Sequence, residues 1–227
     1  MEIDNKLIIS FLSGFVTKQR YSRLEETLTQ RTRYVTVLLE DIYQSQNASA
    51  VLRTCECFGV QDVHVVENYN QYNINPMVVK GSDQWLSINK YNASDHNSVE
   101  TVNLLKSRGY RIVATSLCDE SVDLHDFDLS AGKCAIVFGN EHQGVSKEIL
   151  EEADVHLKIP MCGFTQSLNI SVSAGIVLSG LMHRLKRSNI KWELTEAEKE
   201  ILRVEWLKCS VKNSRLLIER FIEEHKK

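Results

Sequence analysis

The chain has 227 residues, of which 43% are hydrophobic and 25% charged, and this composition excludes a largely disordered protein and predicts one globular domain with short terminal additions. The formal net charge is −3, so a polyanion would be bound by local basic regions and not by the whole surface. No stretch approaches the roughly 18 uncharged apolar residues of a membrane span, and the start MEIDNK is acidic where a signal peptide is basic, so we expect a cytoplasmic protein with no membrane partner.

Strands alternate with helices along most of the chain. Residues 5–30 predict one or two amphipathic helices, broken near Gly14. YVTVLLEDI (34–42) is typical of a strand, and the helix NASAVLRTCECFG follows it, with Asn47 as a plausible N-cap and Gly59 as a plausible stop. The later predicted elements are strands at 63–67, LSINKY, 111–117, CAIVF and HLKIP, a helix at 97–108, a helix of small residues after 169, and two charged C-terminal helices. This alternation predicts an α/β fold with a largely parallel sheet that is covered on both faces.

Basic side chains are concentrated in two regions, whereas the middle of the chain is acidic. The first region contains Lys18, Arg20, Arg23, Arg31 and Arg33. The second contains His183, Arg184, Lys186, Arg187 and Lys191. Either region could be a solvated helix face, or the two could bind a polyanion.

Metal binding is not expected. The six cysteines include no C-x-x-C pair, and Cys55 and Cys57 would point to different faces of their helix, so we expect reduced, mostly buried thiols. His142 has no second histidine, cysteine or carboxylate at ligand spacing.

Three polar segments follow predicted strands, at the edge of the sheet where ligands of parallel sheets bind. They are Thr115–Ser116, Gly139–Gly144 and 160–169. The last one lies within IPMCGFTQSLNISVSAG (159–175), where helix capping explains only one of five hydroxyl and amide side chains: Gln166, Ser167, Asn169, Ser171 and Ser173. The glycine fingerprints of dinucleotide-binding folds and P-loops, and the serine hydrolase elbow, do not occur.

Arg53 is expected to point away from the protein core. It lies about 200° around the predicted helix from Val51, which belongs with Cys55 and Phe58 to the apolar stripe. It must therefore contact solvent, a substrate or another subunit.

Three segments, taken together, resemble in order and spacing the motifs of the SPOUT superfamily of RNA methyltransferases. They are NASAVLRT, IVFGNEHQGVS and IPMCGFTQSLNISVSAG. RYSRLEETLTQRTRYVTVLLEDI, VVKGSDQWLSI and the helical C-terminus are similar to the TrmH branch, which methylates the ribose 2′-hydroxyl of guanosine 18 in the tRNA D-loop. The resemblance covers nearly the whole chain.

The resemblance implies a SPOUT-type parallel sheet with a deep C-terminal trefoil knot, an exception to the general absence of knots. Residues 34–190 would form the methyltransferase domain, 1–33 an N-terminal helical extension that contacts tRNA, and 191–227 a C-terminal helical extension. The family uses S-adenosylmethionine, needs no metal, and forms homodimers whose interface completes the active site.

The family's motifs also imply roles for residues of this chain. Its functional positions are occupied by Asn47, Arg53, Glu141, Ser167 and Asn169. The cofactor would contact, largely through the backbone, Thr115, Gly139, Asn140, Glu141, His142, Gln143, Ile159, Met161 and Leu168. RNA phosphates would contact Arg20, Arg23, Arg31, Arg184, Lys186 and Arg187.

The implied reaction requires an activated hydroxyl. Methyl transfer from a sulfonium to a ribose hydroxyl is an in-line displacement, and the hydroxyl must lose its proton as the new bond forms. Arg53 is the family's candidate for this activation, with help from a substrate phosphate, because a guanidinium alone is a poor base at a pKa above about 12. The alternatives are ribosomal RNA ribose methylation, a non-catalytic knotted RNA-binding protein, and a dinucleotide oxidoreductase.

Overall fold

Seven parallel strands form one sheet in the computed structural model, which describes residues 4–94, 96–165 and 167–225. The strands are β1 (Val35–Glu40), β2 (Asp62–Val66), β3 (Ser87–Tyr91), β4 (Arg111–Thr115), β5 (Val122–Asp123), β6 (Cys134–Phe138) and β7 (Val155–Lys158). Their order across the sheet is β3-β2-β1-β6-β4-β7-β5, and all neighbours are parallel. The α/β prediction is confirmed, and the carboxyl ends of all these strands lie at one edge of the sheet.

Nine α-helices occur in the described ranges. They are α1 (Asn5–Ser13), α2 (Lys18–Leu28), α3 (Ser45–Phe58), α4 (Pro76–Val79), α5 (Asn97–Ser107), α6 (Lys147–Glu152), α7 (Ile170–Lys186), α8 (Glu196–Ser210) and α9 (Ser214–His225), and Ser82–Trp85 form a 3₁₀ helix. None of these helices is long and apolar enough to cross a membrane.

Helices bury both faces of the sheet, which explains why its strands are almost continuously apolar. One face of β1, with Val37 and Leu39, packs in a single apolar cluster with residues of α3 and α7. The opposite face, with Leu38, packs with residues of α5 and α6. Thr36 in β1 and His64 in β2 are buried polar exceptions within the strands.

Most predicted boundaries hold to within two residues, and the exceptions have local causes. β1 ends at Glu40 and not at 42, because Asp41 leaves the extended conformation with a φ of 54°. Gly59 adopts a left-handed conformation and ends α3, as predicted. The two-residue strand β5 is absent from the prediction because so short a segment has no periodicity to detect.

The terminal segments form a unit of their own. Contacts divide the chain into residues 32–192 and a second unit of residues 1–31 and 193–227. The sequence predicts an N-terminal helical extension at 1–33 and a C-terminal one at 191–227, and in the structure α8 packs against α1 and α2 and contacts α9. Leu12, Leu28 and Trp206 are buried in this unit. Contacts between residues so far apart in the chain leave no local sequence pattern.

The burial of Arg31 shows that the prediction of an RNA contact at this residue is wrong. Its side chain is buried in the terminal unit, with 1% relative exposure, and its guanidinium lies 5.1 Å from the centre of the Trp206 ring. An arginine removed from solvent in this way stabilises the packing of α8 and cannot also bind a phosphate at the surface.

The cysteines differ from the expectation of mostly buried thiols. None of the six forms a disulfide, but only Cys55 and Cys134 are buried. Cys57 is exposed while Cys55 is buried, as expected from two positions on different faces of α3. The described residues contain no group of three or more histidine, cysteine or carboxylate side chains that could hold a metal ion.

Candidate active site

A cavity of about 650 Å³ lies at the carboxyl ends of β4, β6 and β7. This volume is in the range of small-molecule sites. The cavity is lined by every residue that the resemblance assigns to the cofactor: Thr115, Gly139, Asn140, Glu141, His142, Gln143, Ile159, Met161 and Leu168. Asn47, Ser167 and Asn169 line it as well. The three polar segments of the sequence therefore meet in one place.

The turn after β6 is rigidly closed by its own backbone. The amide of Asn140 donates to the carbonyl of Gly144 and the amide of Gly144 to the carbonyl of Asn140, both at 3.0 Å. The side-chain oxygen of Asn140 accepts from the amides of His142 (3.0 Å) and Gln143 (2.7 Å). A Cβ atom at Gly139 would lie 1.9 Å from backbone atoms of Gly144, so only glycine fits there.

Side-chain hydrogen bonds join the three motifs. Glu141 accepts from Nδ2 of Asn47 at 2.7 Å and from the backbone amides of Tyr43 (3.0 Å) and Gln44 (3.1 Å). Oδ1 of Asn47 in turn accepts from Nδ2 of Asn169 at 3.1 Å. Three residues at the family's functional positions are thus coupled directly, although 94 and 122 positions separate Asn47 from its two partners.

Only one of the two asparagines is a helix cap. The N-cap of α3 is Gln44, so the prediction that Asn47 caps this helix is wrong. Glu141 instead binds backbone amides beside the start of α3, where a negative charge is favourable. Asn169 is the N-cap of α7 and accepts from the amide of Ser171 at 2.9 Å. Asn169 therefore both caps a helix and binds Asn47.

Glu141 is held in its charged form. Partial burial raises its pKa, but the hydrogen bonds from Asn47 and from the amides of Tyr43 and Gln44 outweigh burial and hold the pKa below the ordinary value of 4.5. At neutral pH this carboxylate accepts hydrogen bonds and has no proton to donate. Its chemistry is therefore that of a positioning group.

Glu141→Gln is expected to lower the free energy of unfolding at pH 7. Three N–H donors, from Asn47, Tyr43 and Gln44, now face a carboxylate, and the NH₂ group of a glutamine cannot accept hydrogen bonds from them. The folded-state pKa lies below 4.5, so the contribution of the charge is complete above pH 4.5 and is lost as the pH falls through the folded-state value. In urea titrations, the difference in the free energy of unfolding between wild type and Glu141→Gln should become smaller below pH 4.5. A difference that does not change with pH would contradict this assignment. Glu151→Gln, at an exposed position of α6, is the control.

The loop after β7 supplies apolar surface and hydroxyl groups. Ile159, Met161 and Leu168 line the cavity, and Ser167 lines it with an exposed side chain. Gln166, one of the five polar residues noted in this segment, lies outside the described residues. This wall can pack against an aromatic base while leaving polar groups at the opening.

Some lining residues are not predicted by the motifs. Gln44 and Leu117 follow β1 and β4, and Lys158 is the last residue of β7. Their common signal is a position at or just after the carboxyl end of a strand. The ammonium of Lys158 lies 3.7 Å from Oδ1 of Asp123.

Arg53 does not line the cavity of its own chain. α3 buries Val51, Leu52 and Cys55 and exposes Arg53, as the helical periodicity predicts. Within the described part of one chain, the cavity is formed without this arginine.

The basic residues after the third motif differ in what they bind. Arg184 donates to the carbonyls of Leu124 (2.9 Å) and Phe127 (2.5 Å), so its guanidinium holds the loop after β5 against α7. Arg184 is partly exposed and keeps further N–H donors, so its contact with an RNA phosphate stays a prediction. Lys186 and Arg187 are exposed, and Arg20 and Arg23 are exposed in the terminal unit.

Comparisons with known proteins agree with this arrangement. Residues 34–179 match the model of the SpoU rRNA Methylase family. A tRNA (guanosine(18)-2'-O)-methyltransferase of Borreliella burgdorferi is 48% identical over 205 residues, 90% of this chain and 92% of that protein. One of Aquifex aeolicus is 35% identical over 190 residues, 83% of this chain and 88% of that protein. The solved structure of an A. aeolicus TrmH/SpoU tRNA modifying enzyme has a TM-score of 0.76 at 34% identity, covering 86% of this chain and 98% of that one. Because the matched residues include all three motifs and the whole cavity, the chain belongs to the SpoU methylase family.

Proposed function

We propose that this protein methylates the ribose 2′-hydroxyl of guanosine 18 in tRNA, with S-adenosylmethionine as the methyl donor. The observation that carries the proposal is the cavity in which all three motifs meet, in a chain that is 48% identical to a tRNA (guanosine(18)-2'-O)-methyltransferase. The fold alone would not distinguish this substrate from others.

The residues of the cavity fit this cofactor. An adenosine needs an apolar surface and a few backbone hydrogen-bond partners, and the lining supplies Ile159, Met161 and Leu168 with the turn after β6. A Cβ at Gly139 would clash with backbone, so this segment of the wall stays free of side-chain bulk. Bound here, S-adenosylmethionine supplies an electrophilic methyl group on a sulfonium.

The chain's own residues orient the reacting groups. Asn169 and Ser167 lie at the opening of the cavity and are proposed to position the ribose, while Asn47 and Glu141 hold Asn169 in place. Arg53 is proposed to bind a substrate phosphate and promote loss of the hydroxyl proton. No step in this scheme needs a metal ion.

A homodimer would bring Arg53 to a cavity. Arg53 is exposed on α3, and α3 packs against α7. On α7 the side chains of Val172 (47%) and Ile176 (39%) are exposed at helical spacing, with the small residues Gly175 and Ser179 beside them. These features support a twofold interface through which Arg53 of one protomer reaches the active site of its partner.

A trefoil knot is part of the proposal. β6 lies between β1 and β4, and β7 lies between β4 and β5, so each of these two strands is inserted between strands that precede it in the chain. This strand order is compatible with the knot, which is implied by the resemblance to the SPOUT superfamily.

The RNA is proposed to bind through exposed cations and not through the cavity alone. Arg20, Arg23, Lys186 and Arg187 are exposed candidates and Arg184 is a partly exposed one, whereas Arg31 is buried. We place the reaction in the cytoplasm, where tRNA is available and where exposed thiols stay reduced.

Arg187→Ala is expected to weaken tRNA binding a few-fold for every tRNA and to reduce the slope of log affinity against log salt by about one. The reason is that a phosphate contact is electrostatic and independent of sequence. Fluorescence titrations at several salt concentrations measure both quantities. Arg215→Ala, an exposed arginine of α9 paired with Glu219, is the matched control. An unchanged slope would remove Arg187 from the binding surface.

The substrate class is tested by methyl transfer to unmodified transcripts. With radiolabelled S-adenosylmethionine, the purified protein should label tRNA and leave ribosomal RNA unlabelled. Labelling of ribosomal RNA alone would support the alternative substrate, and labelling of neither would support a non-catalytic role.

A further inference from the structure

We infer that Lys158 binds the carboxylate of the amino-acid part of the cofactor. The inference rests on the proposed function, because it takes S-adenosylmethionine as the ligand of the cavity. Lys158 ends β7 and lines the cavity. Among the described lining residues it is the only lysine or arginine.

Several other polar groups of this wall are already engaged. Glu141 is an acceptor that binds Asn47 and two backbone amides, and it would repel a carboxylate. The amides of His142 and Gln143 both donate to Asn140. A carboxylate that enters the cavity can meet hydroxyl and amide donors, but among the described lining residues only Lys158 offers it a lysine or arginine cation.

Lys158 is held beside the cavity, and its ammonium keeps hydrogen-bond donors for a ligand. Residues 123 and 158 are register partners of β5 and β7, and the 3.7 Å between the Lys158 ammonium and Asp123 is longer than a charge-assisted hydrogen bond. The Lys158 side chain is about one third exposed. Because an ammonium has three donors, Lys158 can keep Asp123 nearby and still donate to a ligand carboxylate.

This contact would let the site recognise the amino-acid part of the cofactor. An adenosine thioether without a carboxylate would fill the apolar part of the cavity but leave Lys158 paired only with Asp123. Such ligands should then bind less tightly than S-adenosylmethionine.

The test compares two ligands that differ in one group. Isothermal titration calorimetry on the full-length protein measures S-adenosylmethionine and decarboxylated S-adenosylmethionine, which keeps the adenosine, the sulfonium and the amine. Lys158→Met is expected to lower the affinity for S-adenosylmethionine about tenfold, which corresponds to about 1.4 kcal/mol. The affinity for the decarboxylated ligand should not fall. Lys158→Arg should keep most of the affinity. Lys147→Met, at an exposed position of α6 outside the cavity lining, should change the affinity for neither ligand.

Each outcome decides the matter. Equal weakening of both ligands by Lys158→Met would show that the lysine only shapes the cavity, and unchanged binding of S-adenosylmethionine would show no contact; either result overturns the inference while the proposed function stands. A wild-type protein that binds neither ligand would overturn the proposed function and this inference with it.

Discussion

Arg53→Ala is expected to slow tRNA methylation by about a hundred- to a thousandfold, the range found when one group that stabilises a transition state is removed. The melting temperature and the affinity for S-adenosylmethionine should stay the same. Arg53 is exposed on α3 and does not line the cavity of its own chain, so its removal leaves no buried group unpaired and changes no wall of the site. Single-turnover rates with saturating tRNA measure the effect on chemistry apart from binding.

The controls for Arg53 separate its charge from its position. Arg53→Lys keeps the charge but loses the planar fork, so we expect an intermediate rate. Arg215→Ala removes another exposed arginine, from α9, and should leave the rate unchanged. A loss of S-adenosylmethionine binding in Arg53→Ala would contradict a role confined to substrate activation.

Mixed dimers test whether Arg53 acts across the proposed interface. In a heterodimer of Arg53→Ala and Asn169→Ala protomers, one site combines an intact cavity with an intact Arg53 from the other protomer. That heterodimer should regain up to about half of the wild-type rate, whereas each homodimer stays inactive. If Arg53 acts within its own chain, no site of the heterodimer is complete and no activity returns.

Gly139→Ala is expected to destabilise the methyltransferase unit by about 3 kcal/mol or more, at the upper end of overpacking effects. The added Cβ would lie 1.9 Å from backbone atoms of Gly144 and 2.1 Å from the amide nitrogen of Val145, and backbone cannot rotate away as a flexible side chain can. The turn must open to accept it. S-adenosylmethionine binding should be lost even at temperatures where the variant remains folded.

Urea unfolding and calorimetric titration together measure both effects. Gly163→Ala is the matched control in the loop after β7, because its added Cβ would meet only the amide nitrogen of Thr165 at 3.9 Å. That variant should stay within about 0.5 kcal/mol of wild type. A Gly139→Ala protein as stable as wild type would show that the turn is not closed as described.

The architecture of the site was predictable because it follows from the alternation of strands and helices and from the position of each polar segment after a strand. Short apolar strands alternating with helices predict a parallel sheet, and parallel strands place their carboxyl ends together, so the segments at 115, 139–144 and 160–169 had to meet. The outward direction of Arg53 follows from the geometry of one helix. Both inferences depend on local patterns alone.

The errors concern residues whose partners lie far away in the chain. Asn47 precedes an apolar helix as a cap does, but its partners are Glu141 and Asn169. Arg31 belongs to a basic cluster, yet it is buried against Trp206. A sequence pattern shows that a residue is polar, but it does not show what the residue binds. Such partners are found only in the folded structure.

The most direct test of the proposed reaction is nucleoside mass spectrometry of an unmodified tRNA transcript after incubation with the protein and S-adenosylmethionine. We expect one new nucleoside, 2′-O-methylguanosine, located at position 18. A transcript with 2′-deoxyguanosine at that position should remain unmodified, because it lacks the hydroxyl that accepts the methyl group. A methyl group on a base, at another ribose, or on the deoxy-substituted transcript would contradict the account.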